Sequence, residues 1–312
     1  MQKKIYVIIN PVSGTKSKKE IPEKVATHFD QHKYEIHIFL TGYAGHATEI
    51  AVKAVKDKVD CVIAVGGDGT VNEVAKALVN TDVVFGIVPS GSGNGLAREL
   101  HIPLNTTKAI EILSENNVKT IDYGVANGEI FFCTCGVGFD ALISEKALEQ
   151  SSRGKLMYAQ SIISSLINFK PQKYKITTEN GTFEDKAFLV TCANASQYGN
   201  DAFIAPHADI CDGKMNLAIV RPLSVIEVPQ AAIQIFTKNI DNNAKVTELL
   251  TSEATIEREE EGVMHLDGNA SYTGKKIHVK IVHQGLKVLV PTNIPKKKID
   301  PQAFISNITR WI

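Results

Sequence analysis

Hydrophobic residues in the first part of the chain come in short runs that are separated by longer amphipathic stretches. The runs at 4–9, 34–40, 61–65 and 83–88 are rich in β-branched residues and predict strands. Between two of them, 46–58 places Ile50, Ala51 and Ala54 on one helical stripe. Because these strands are nearly uniformly apolar and alternate with helices, they predict a parallel sheet covered on both sides, which is a three-layer α/β domain.

After a predicted helix at 107–116 the pattern changes to short, closely spaced runs that are typical of antiparallel strands. We expect strands at 120–125, 129–135, 173–178, 187–192, 215–220, 254–257, 263–266, 276–282 and 286–290, with helices at 141–150, 155–168 and 226–237. The expected division is an α/β domain at 1–122 and an antiparallel β-sandwich at 123–292. The segment 293–312 is expected to pack back on the first domain.

Length, charge and cysteine content narrow the class of protein. The 312 residues fit about two domains of roughly 100–200 residues each. Since 34 Lys and Arg balance 34 Asp and Glu, nucleic acid is not an expected partner. Five scattered cysteines indicate reduced thiols, and no apolar run is long enough for a transmembrane segment. We therefore expect a cytoplasmic protein, at most peripheral to the inner face of the membrane.

Three glycine-rich loops each follow a predicted strand, and they carry the chemistry of the first domain. They are Asn10-Pro11-Val12-Ser13-Gly14-Thr15-Lys16, Gly66-Gly67-Asp68-Gly69-Thr70 and Pro89-Ser90-Gly91-Ser92-Gly93-Asn94. Glycines let backbone N–H groups approach an anion, and the start of a helix favours negative charge. Parallel strands bring such loops to one edge of the sheet, so a phosphate site is predicted there. Lys16, Lys18 and Lys19 supply local positive charge.

Asp68 is an acidic residue in a loop that is predicted to bind phosphate. Its carboxylate would repel phosphate unless it holds a metal ion or accepts a proton from an attacking hydroxyl group. Phosphoryl transfer accounts for both features. The alternative is a tight strand-to-helix turn in which Asp68 lies near the N-cap.

These motifs resemble the diacylglycerol kinase catalytic-domain family, which includes bacterial lipid kinases and the sphingosine kinases. The resemblance spans nearly the whole chain. Beyond the three loops, it rests on Gly136-Val137-Gly138-Phe139-Asp140-Ala141, on 194–199, on Ala205-Pro206 with Ala208, and on Asp212-Gly213. NAD kinases and 6-phosphofructokinases share the Gly-Gly-Asp-Gly turn, but the Asn-Pro start and the third loop are similar to the lipid kinases.

The resemblance implies an N-terminal nucleotide-binding domain, a C-terminal β-sandwich, and transfer of the γ-phosphate of ATP to a lipid hydroxyl with Mg²⁺ neutralising charge. The implied nucleotide site contains Asn10, Ser13, Thr41, Gly67, Asp68, Thr70, Ser90, Gly91 and Asn94. Four further residues of the same loops complete the implied nucleotide site: Lys16, Gly66, Gly69 and Ser92. For Thr41 a plain helix-leading loop is an equal alternative, and His46 is expected to start a helix.

At the position of the expected catalytic base the sequence departs from the family. The family generally has Asp-Gly-Glu, with the Glu proposed as general base, whereas this chain has Asp267-Gly268-Asn269. Asparagine cannot accept a proton at neutral pH. Three alternatives stay open: Asp68 or Asp267 acts as base, a metaphosphate-like transition state needs little base, or the protein is a weak or inactive kinase.

Other candidate sites come from the resemblance or, for the acyl-chain tunnel, from apolar sequence, and each has a structural alternative. Asp209 and Asp212 match a structural Mg²⁺ site of some bacterial members, or they form a turn. Arg153 and Lys155 match a basic region near the substrate phosphate, or they start a solvated helix. The apolar stretches 131–139 and 157–169 wall an acyl-chain tunnel, or they are core.

The acceptor is expected to be a membrane lipid at the bilayer surface, either diacylglycerol or a long-chain sphingoid base. Gly95 follows Asn94, where bacterial diacylglycerol kinases usually have Asp, which favours the sphingoid base. The alternatives are a non-catalytic regulator that binds nucleotide or lipid, and an NAD kinase-like enzyme with a soluble substrate. A homodimer is compatible with related folds, and no residue pattern specifies its surface.

Overall fold

The computed structural model describes residues 2–14, 18–149, 164–166, 168–224 and 226–293. They form two compact units: the first takes in the chain as far as Asp122 and again from Gln284, and the second runs from Tyr123 to His283. The predicted helix at 155–168 lies largely outside the described residues, and so does the segment 294–312, for which we predicted packing on the first domain.

The first unit has a parallel sheet whose strands alternate with helices. Its elements are β1 (Lys3–Ile9), α1 (Ile21–His28), β2 (Tyr34–Leu40), α2 (His46–Lys56), β3 (Cys61–Gly66), α3 (Asp68–Leu78), β4 (Val84–Pro89), α4 (Gly95–Glu99) and α5 (Thr106–Glu115). The strand order is β2-β1-β3-β4, and all three pairings are parallel. Val7, Val62 and Ile87 are completely buried, as strands covered on both faces require. The predicted α/β domain is confirmed.

The second unit is built mainly from antiparallel strands. Its elements are the end of β5 (Val118–Ala126), β6 (Glu129–Phe131), β7 (Thr134–Gly138), α6 (Phe139–Glu149), β8 (Gln172–Thr178), β9 (Gly181–Ala187), β10 (Leu189–Ala193), β11 (Met215–Val220), α7 (Val228–Phe236), a 3₁₀ turn (Ile240–Asn242), β12 (Val246–Thr251), β13 (Glu253–Arg258), β14 (Gly262–Leu266), β15 (Asn269–Thr273) and most of β16 (Lys276–Leu289).

Two sheets of this unit pack face to face. One is six-stranded with the order β12-β11-β10-β7-β14-β15, and the other contains the neighbours β16-β13-β8-β9. Their facing sides share one core, to which Val190 and Leu217 contribute from the first sheet and Tyr174, Ile256 and Ile277 from the second. Alternate residues of β8, β13 and β16 are buried, which is the pattern of strands with one face on a core. The predicted β-sandwich is confirmed.

Some strands differ from the prediction for identifiable reasons. β9, β12 and β15 were not predicted, and of these β9 and β15 are mostly polar and only partly buried. The two runs predicted at 276–282 and 286–290 form one strand, β16, in which Gln284 has a φ of +52°. From Gln284 onward the chain belongs to the first unit, where Val288 pairs with Phe85 of β4. The return to the first unit thus begins before residue 293.

Among the helices of the described residues, none combines the length and the apolar character that crossing a bilayer requires.

A buried polar cluster lies behind the six-stranded sheet and is centred on Asp140, the second residue of α6. Oδ2 of Asp140 accepts hydrogen bonds from Thr191 Oγ1 at 2.7 Å and Tyr198 OH at 3.1 Å, and it lies 3.0 Å from His265 Nε2. Burial, reinforced by the charge of Asp140, raises the pKa of Tyr198 well above its ordinary value, so its hydroxyl stays a donor. At Gly136 a Cβ would lie 2.6 Å from Asp140 Oδ2, which explains the glycine.

We expect Asp140→Asn to lower the free energy of unfolding by about 3 kcal/mol, because an amide replaces a buried charge that three side chains surround. Urea denaturation of the full chain measures this. Thr191→Val is the matched control: it removes one donor and should cost about 1 kcal/mol. If Asp140→Asn costs no more than Thr191→Val, the cluster does not depend on the carboxylate charge.

Candidate active site

The loops that follow β1, β3 and β4 lie together at the carboxyl edge of the parallel sheet. Nδ2 of Asn10, in the first loop, donates to Oγ1 of Thr70 at 3.0 Å. Ser13, also in the first loop, has its Oγ 2.8 Å from Oγ of Ser90 in the third. The first loop is therefore hydrogen-bonded to both of the others, and the juxtaposition predicted from sequence is present.

Glycine residues let the backbones of these loops touch directly. A Cβ on Gly91 would lie 2.6 Å from Cα of Gly67, so the second and third loops are in backbone contact. A Cβ on Gly14 would lie 1.9 Å from the carbonyl oxygen of Ser90, and the φ of Gly14 is +61°. Any larger residue at these positions would separate the loops.

Asp68, the first residue of α3, holds the third loop in place. Its Oδ2 accepts the backbone N–H of Asn94 at 2.8 Å, and its Oδ1 accepts that of Gly95 at 2.6 Å. The carboxylate thus satisfies N–H groups at the start of α4, a different helix from the one that Asp68 begins. A cap on a neighbouring helix was not among the roles that the sequence suggested for this side chain.

Asn94 shapes the third loop from within. Its backbone is left-handed, with a φ of 50° and a ψ of 47°. Its side-chain Oδ1 accepts the N–H of Gly91 at 2.9 Å, while Nδ2 donates to the carbonyl oxygen of the same residue at 2.8 Å. Arg98 Nε adds a bond to the carbonyl oxygen of Gly93 at 2.9 Å. The amide of Asn94 therefore fixes the turn and is nearly buried.

The amino end of α3 provides a place for an anion. Gly67 precedes the helix and has no side chain to cap it, and α3 continues for 11 residues. A Cβ at Gly69 would meet no heavy atom within 4 Å among the residues that the structure describes. Unpaired N–H groups and the partial positive charge of a helix start attract phosphate. Because the carboxylate of Asp68 is bonded to N–H groups of the third loop, its charge is partly balanced there.

The loop between β2 and α2 is tied to the same edge. Thr41 donates its backbone N–H to the carbonyl oxygen of Ile9 at 2.9 Å, and Gly45 donates its N–H to Glu73 Oε1 on α3 at 3.0 Å. His46 begins α2, and its Nδ1 accepts the N–H of Gly42 at 3.0 Å. Glu73 therefore positions this loop from α3, a role that the sequence did not indicate.

In the second unit, Asp267 and Gly268 form the tip of the β14–β15 hairpin. Both have a positive φ, +50° and +79°, which is typical of a two-residue hairpin turn. The carboxylate of Asp267 accepts the backbone N–H groups of Phe132, Cys133 and Thr134 at 2.8, 2.7 and 3.1 Å. Asn269, which begins β15, is exposed. Asp267 therefore anchors the hairpin to the segment before β7.

Asp209 and Asp212 form the turn that was the alternative to a metal site. Asp209 Oδ1 accepts the N–H of Cys211 at 3.0 Å, and Asp212 Oδ1 accepts that of Lys214 at 2.9 Å. Across the described parts of the chain, no group of three His, Cys, Asp or Glu side chains is arranged to hold a metal ion.

The structure describes only some of the remaining basic and apolar residues that were predicted to contribute to a site. Lys16, Arg153 and Lys155 lie outside the described residues. Lys18 is 8% exposed, and loss of hydration lowers its pKa. Of the stretch predicted to line an acyl tunnel, Phe131 lies in the sandwich core, whereas Phe139 stacks on Phe188 with ring centroids 4.6 Å apart.

Comparisons with known proteins cover both units. Residues 4–126 match the model of the diacylglycerol kinase catalytic domain, and residues 133–290 match that of the YegS C-terminal NAD kinase beta sandwich-like domain. A diacylglycerol kinase of Bacillus subtilis (strain 168) is 29% identical over 276 residues, which are 85% of this chain and 89% of that protein.

Solved structures share the fold. A diacylglycerol kinase from Bacillus anthracis str. Sterne has a TM-score of 0.72 at 23% identity, over 93% of this chain and 97% of that one. An NAD kinase from Archaeoglobus fulgidus in complex with ATP has a TM-score of 0.53 at 9% identity, over 99% and 98% of the two chains. The chain therefore belongs to the family of lipid kinases that join a diacylglycerol kinase catalytic domain to a YegS C-terminal NAD kinase beta sandwich-like domain.

Proposed function

We propose that this chain transfers the γ-phosphate of ATP to a hydroxyl group of a membrane lipid. The observation that carries the proposal is the contact of three glycine-rich loops around the uncapped start of α3. Such an arrangement offers several backbone N–H groups to a phosphate chain without a bulky side chain in the way. Membership of the lipid kinase family supplies the class of reaction.

Magnesium is proposed to enter with the nucleotide. Kinase Mg²⁺ ions are usually held by phosphate oxygens and one or two carboxylates, so a preformed cluster of three acidic or His side chains is not required. Asp68 fits this role, because each of its oxygens accepts one N–H group and keeps a lone pair. When bound, the ion would neutralise charge on the phosphates.

The catalytic contribution of the chain is proposed to be positioning. The Asp267 carboxylate is engaged by three backbone N–H groups, and the Asn269 amide cannot accept a proton. A loose, metaphosphate-like transition state needs little help from a base and depends on orientation and electrostatics. Of the three alternatives that the sequence left open, we therefore favour transfer with weak base assistance.

The acceptor is proposed to be diacylglycerol or a long-chain sphingoid base, and the protein is proposed to work at the inner surface of the membrane. The decisive measurement is transfer of labelled phosphate from Mg·ATP to mixed micelles of diacylglycerol or sphinganine, with a lipid-free reaction containing NAD as the third arm. A labelled lipid identifies the acceptor, while labelled product in the NAD arm alone would contradict a lipid kinase.

A second candidate function is a regulator that binds nucleotide or lipid without turnover. The observation that favours it is Asn269, an exposed amide at the position of the family's proposed base. ATP binding without a labelled product in any arm would support it.

Asp68→Asn is expected to lower kcat/KM for ATP by about a hundredfold, because the amide cannot accept both N–H groups and the third loop shifts. Steady-state kinetics in mixed micelles measure the effect. Asp82→Asn is the control: Asp82 is fully exposed and pairs with Lys287 instead of a loop. Full activity of Asp68→Asn, with both variants folded, would remove Asp68 from the mechanism.

Asn269→Glu is expected to raise kcat by less than about threefold, since a loose transition state gains little from a carboxylate that can remove the hydroxyl proton. Asn269→Gln keeps the longer side chain without the basic group and should show no gain. A kcat for the Glu variant at least about tenfold above that of the Gln variant would mean that proton removal limits the reaction, and it would contradict transfer with weak base assistance.

A further inference from the structure

Tyr43, in the loop between β2 and α2, is exposed and yet rigidly held. The residue is 59% exposed. Its ring stacks on that of His46 with the centroids 4.5 Å apart and the planes within 3° of parallel. Its hydroxyl donates to Glu49 Oε2 at 2.7 Å. His46 is itself fixed by the N–H of Gly42, so an aromatic face is presented to solvent in one orientation.

A fixed, solvent-facing aromatic ring is a binding surface for a flat ligand. One face of the Tyr43 ring is covered by His46, so the solvent-exposed area of the ring lies on its other face and its edge. Nucleobases stack on such faces, and a ring that is already held in place loses little conformational entropy on binding. The hydrogen bond to Glu49 raises the pKa of Tyr43, which keeps the hydroxyl protonated and in place.

The sheet order places this ring on one side of the phosphate loops. β2 is the edge strand of the order β2-β1-β3-β4, so its loop lies two strand spacings, about 10 Å, from the loop after β3. An extended nucleoside triphosphate spans a comparable distance from its phosphates to its base. Glu73 joins the Tyr43 loop to α3 through the N–H of Gly45 and the hydroxyl of Thr48.

Two apolar side chains are also exposed at the carboxyl edge of β1 and β2. Val12, in the loop after β1, is 85% exposed, and Leu40, at the end of β2, is 61% exposed. Both belong to the carboxyl edge of neighbouring strands, where Ile9 pairs with Leu40. Apolar side chains at this edge of the sheet suit a purine better than a polar or charged group.

We propose that Tyr43, stacked on His46, is the platform that binds the purine base of ATP. The inference rests on the proposed function, because it takes ATP as the phosphate donor. It adds the direction in which the nucleotide lies, with phosphates at the start of α3 and the base toward the β2 edge. It also identifies a residue of the site outside the glycine-rich motifs.

The test separates the base from the phosphates by measuring equilibrium binding of ATP and of inorganic tripolyphosphate to the full chain by calorimetry. Tyr43→Ala should weaken ATP binding by about tenfold, the size expected when one stacked base is lost, and should leave tripolyphosphate binding unchanged. Tyr43→Phe keeps the ring and should recover most of the affinity. Tyr272→Ala, which removes a 67% exposed tyrosine of the second unit, is the matched control.

Three results would overturn the platform: an unchanged ATP affinity in Tyr43→Ala, an equal loss of ATP and tripolyphosphate binding, or a loss confined to binding of phosphatidylglycerol vesicles. The last result would indicate that the Tyr43 ring contacts the membrane surface.

The proposed function is tested by a separate outcome of the same measurements. If the wild-type chain phosphorylates no lipid but binds ATP with an affinity that depends on Tyr43, the proposed lipid kinase function is contradicted and the proposed base platform is retained. If the chain binds no ATP, both proposals are contradicted.

Discussion

The paired hydrogen bonds from Asn94 and Gly95 to the carboxylate of Asp68 are the interaction on which the candidate site depends. Backbone contact between Gly67 and Gly91 brings two loops together but supplies little attraction of its own. Charge-assisted bonds to a carboxylate are stronger than those between neutral groups, so Asp68 can hold the third loop against the second. Once that spacing is set, Asn94 fixes the turn, and the start of α3 is left open to an anion.

The second unit uses aspartate in the same way. The carboxylate of Asp267 accepts hydrogen bonds from three backbone N–H groups, and that of Asp140 accepts them from side-chain donors behind the six-stranded sheet. In each case an acidic residue is bonded to the groups that shape its own surroundings. Phosphoryl transfer suits such a construction, because its transition state is stabilised mainly by position and charge. A chain with Asn269 in place of a base can then keep a working geometry, with proton removal as the step that is weakened.

The strands and the loop chemistry were predictable from sequence because they are local properties. The buried strands β3 and β4 are apolar throughout, β1 is apolar from Ile5 onward, and each of their loops carries its glycines in one short segment. The partner of Asp68 was not predictable, since 26 positions separate it from Asn94 and only the pairing of β3 with β4 brings the two loops together. β9 and β15 were missed because polar edge strands lack the hydrophobic pattern on which prediction relies.

The stack of Tyr43 on His46 was not predicted for a different reason. A tyrosine in a short loop has no periodic signal, and its contact depends on the hydrogen bonds that orient both rings. The phosphate contacts proposed for the three glycine-rich loops are made by backbone N–H groups, so they require glycine in the chain and would accept any nucleoside triphosphate equally well. Discrimination between bases has to come from side chains beyond those loops. In this chain the β2 loop presents such a side chain in a fixed orientation, so the proposed contact with the base lies outside the motifs that define the family.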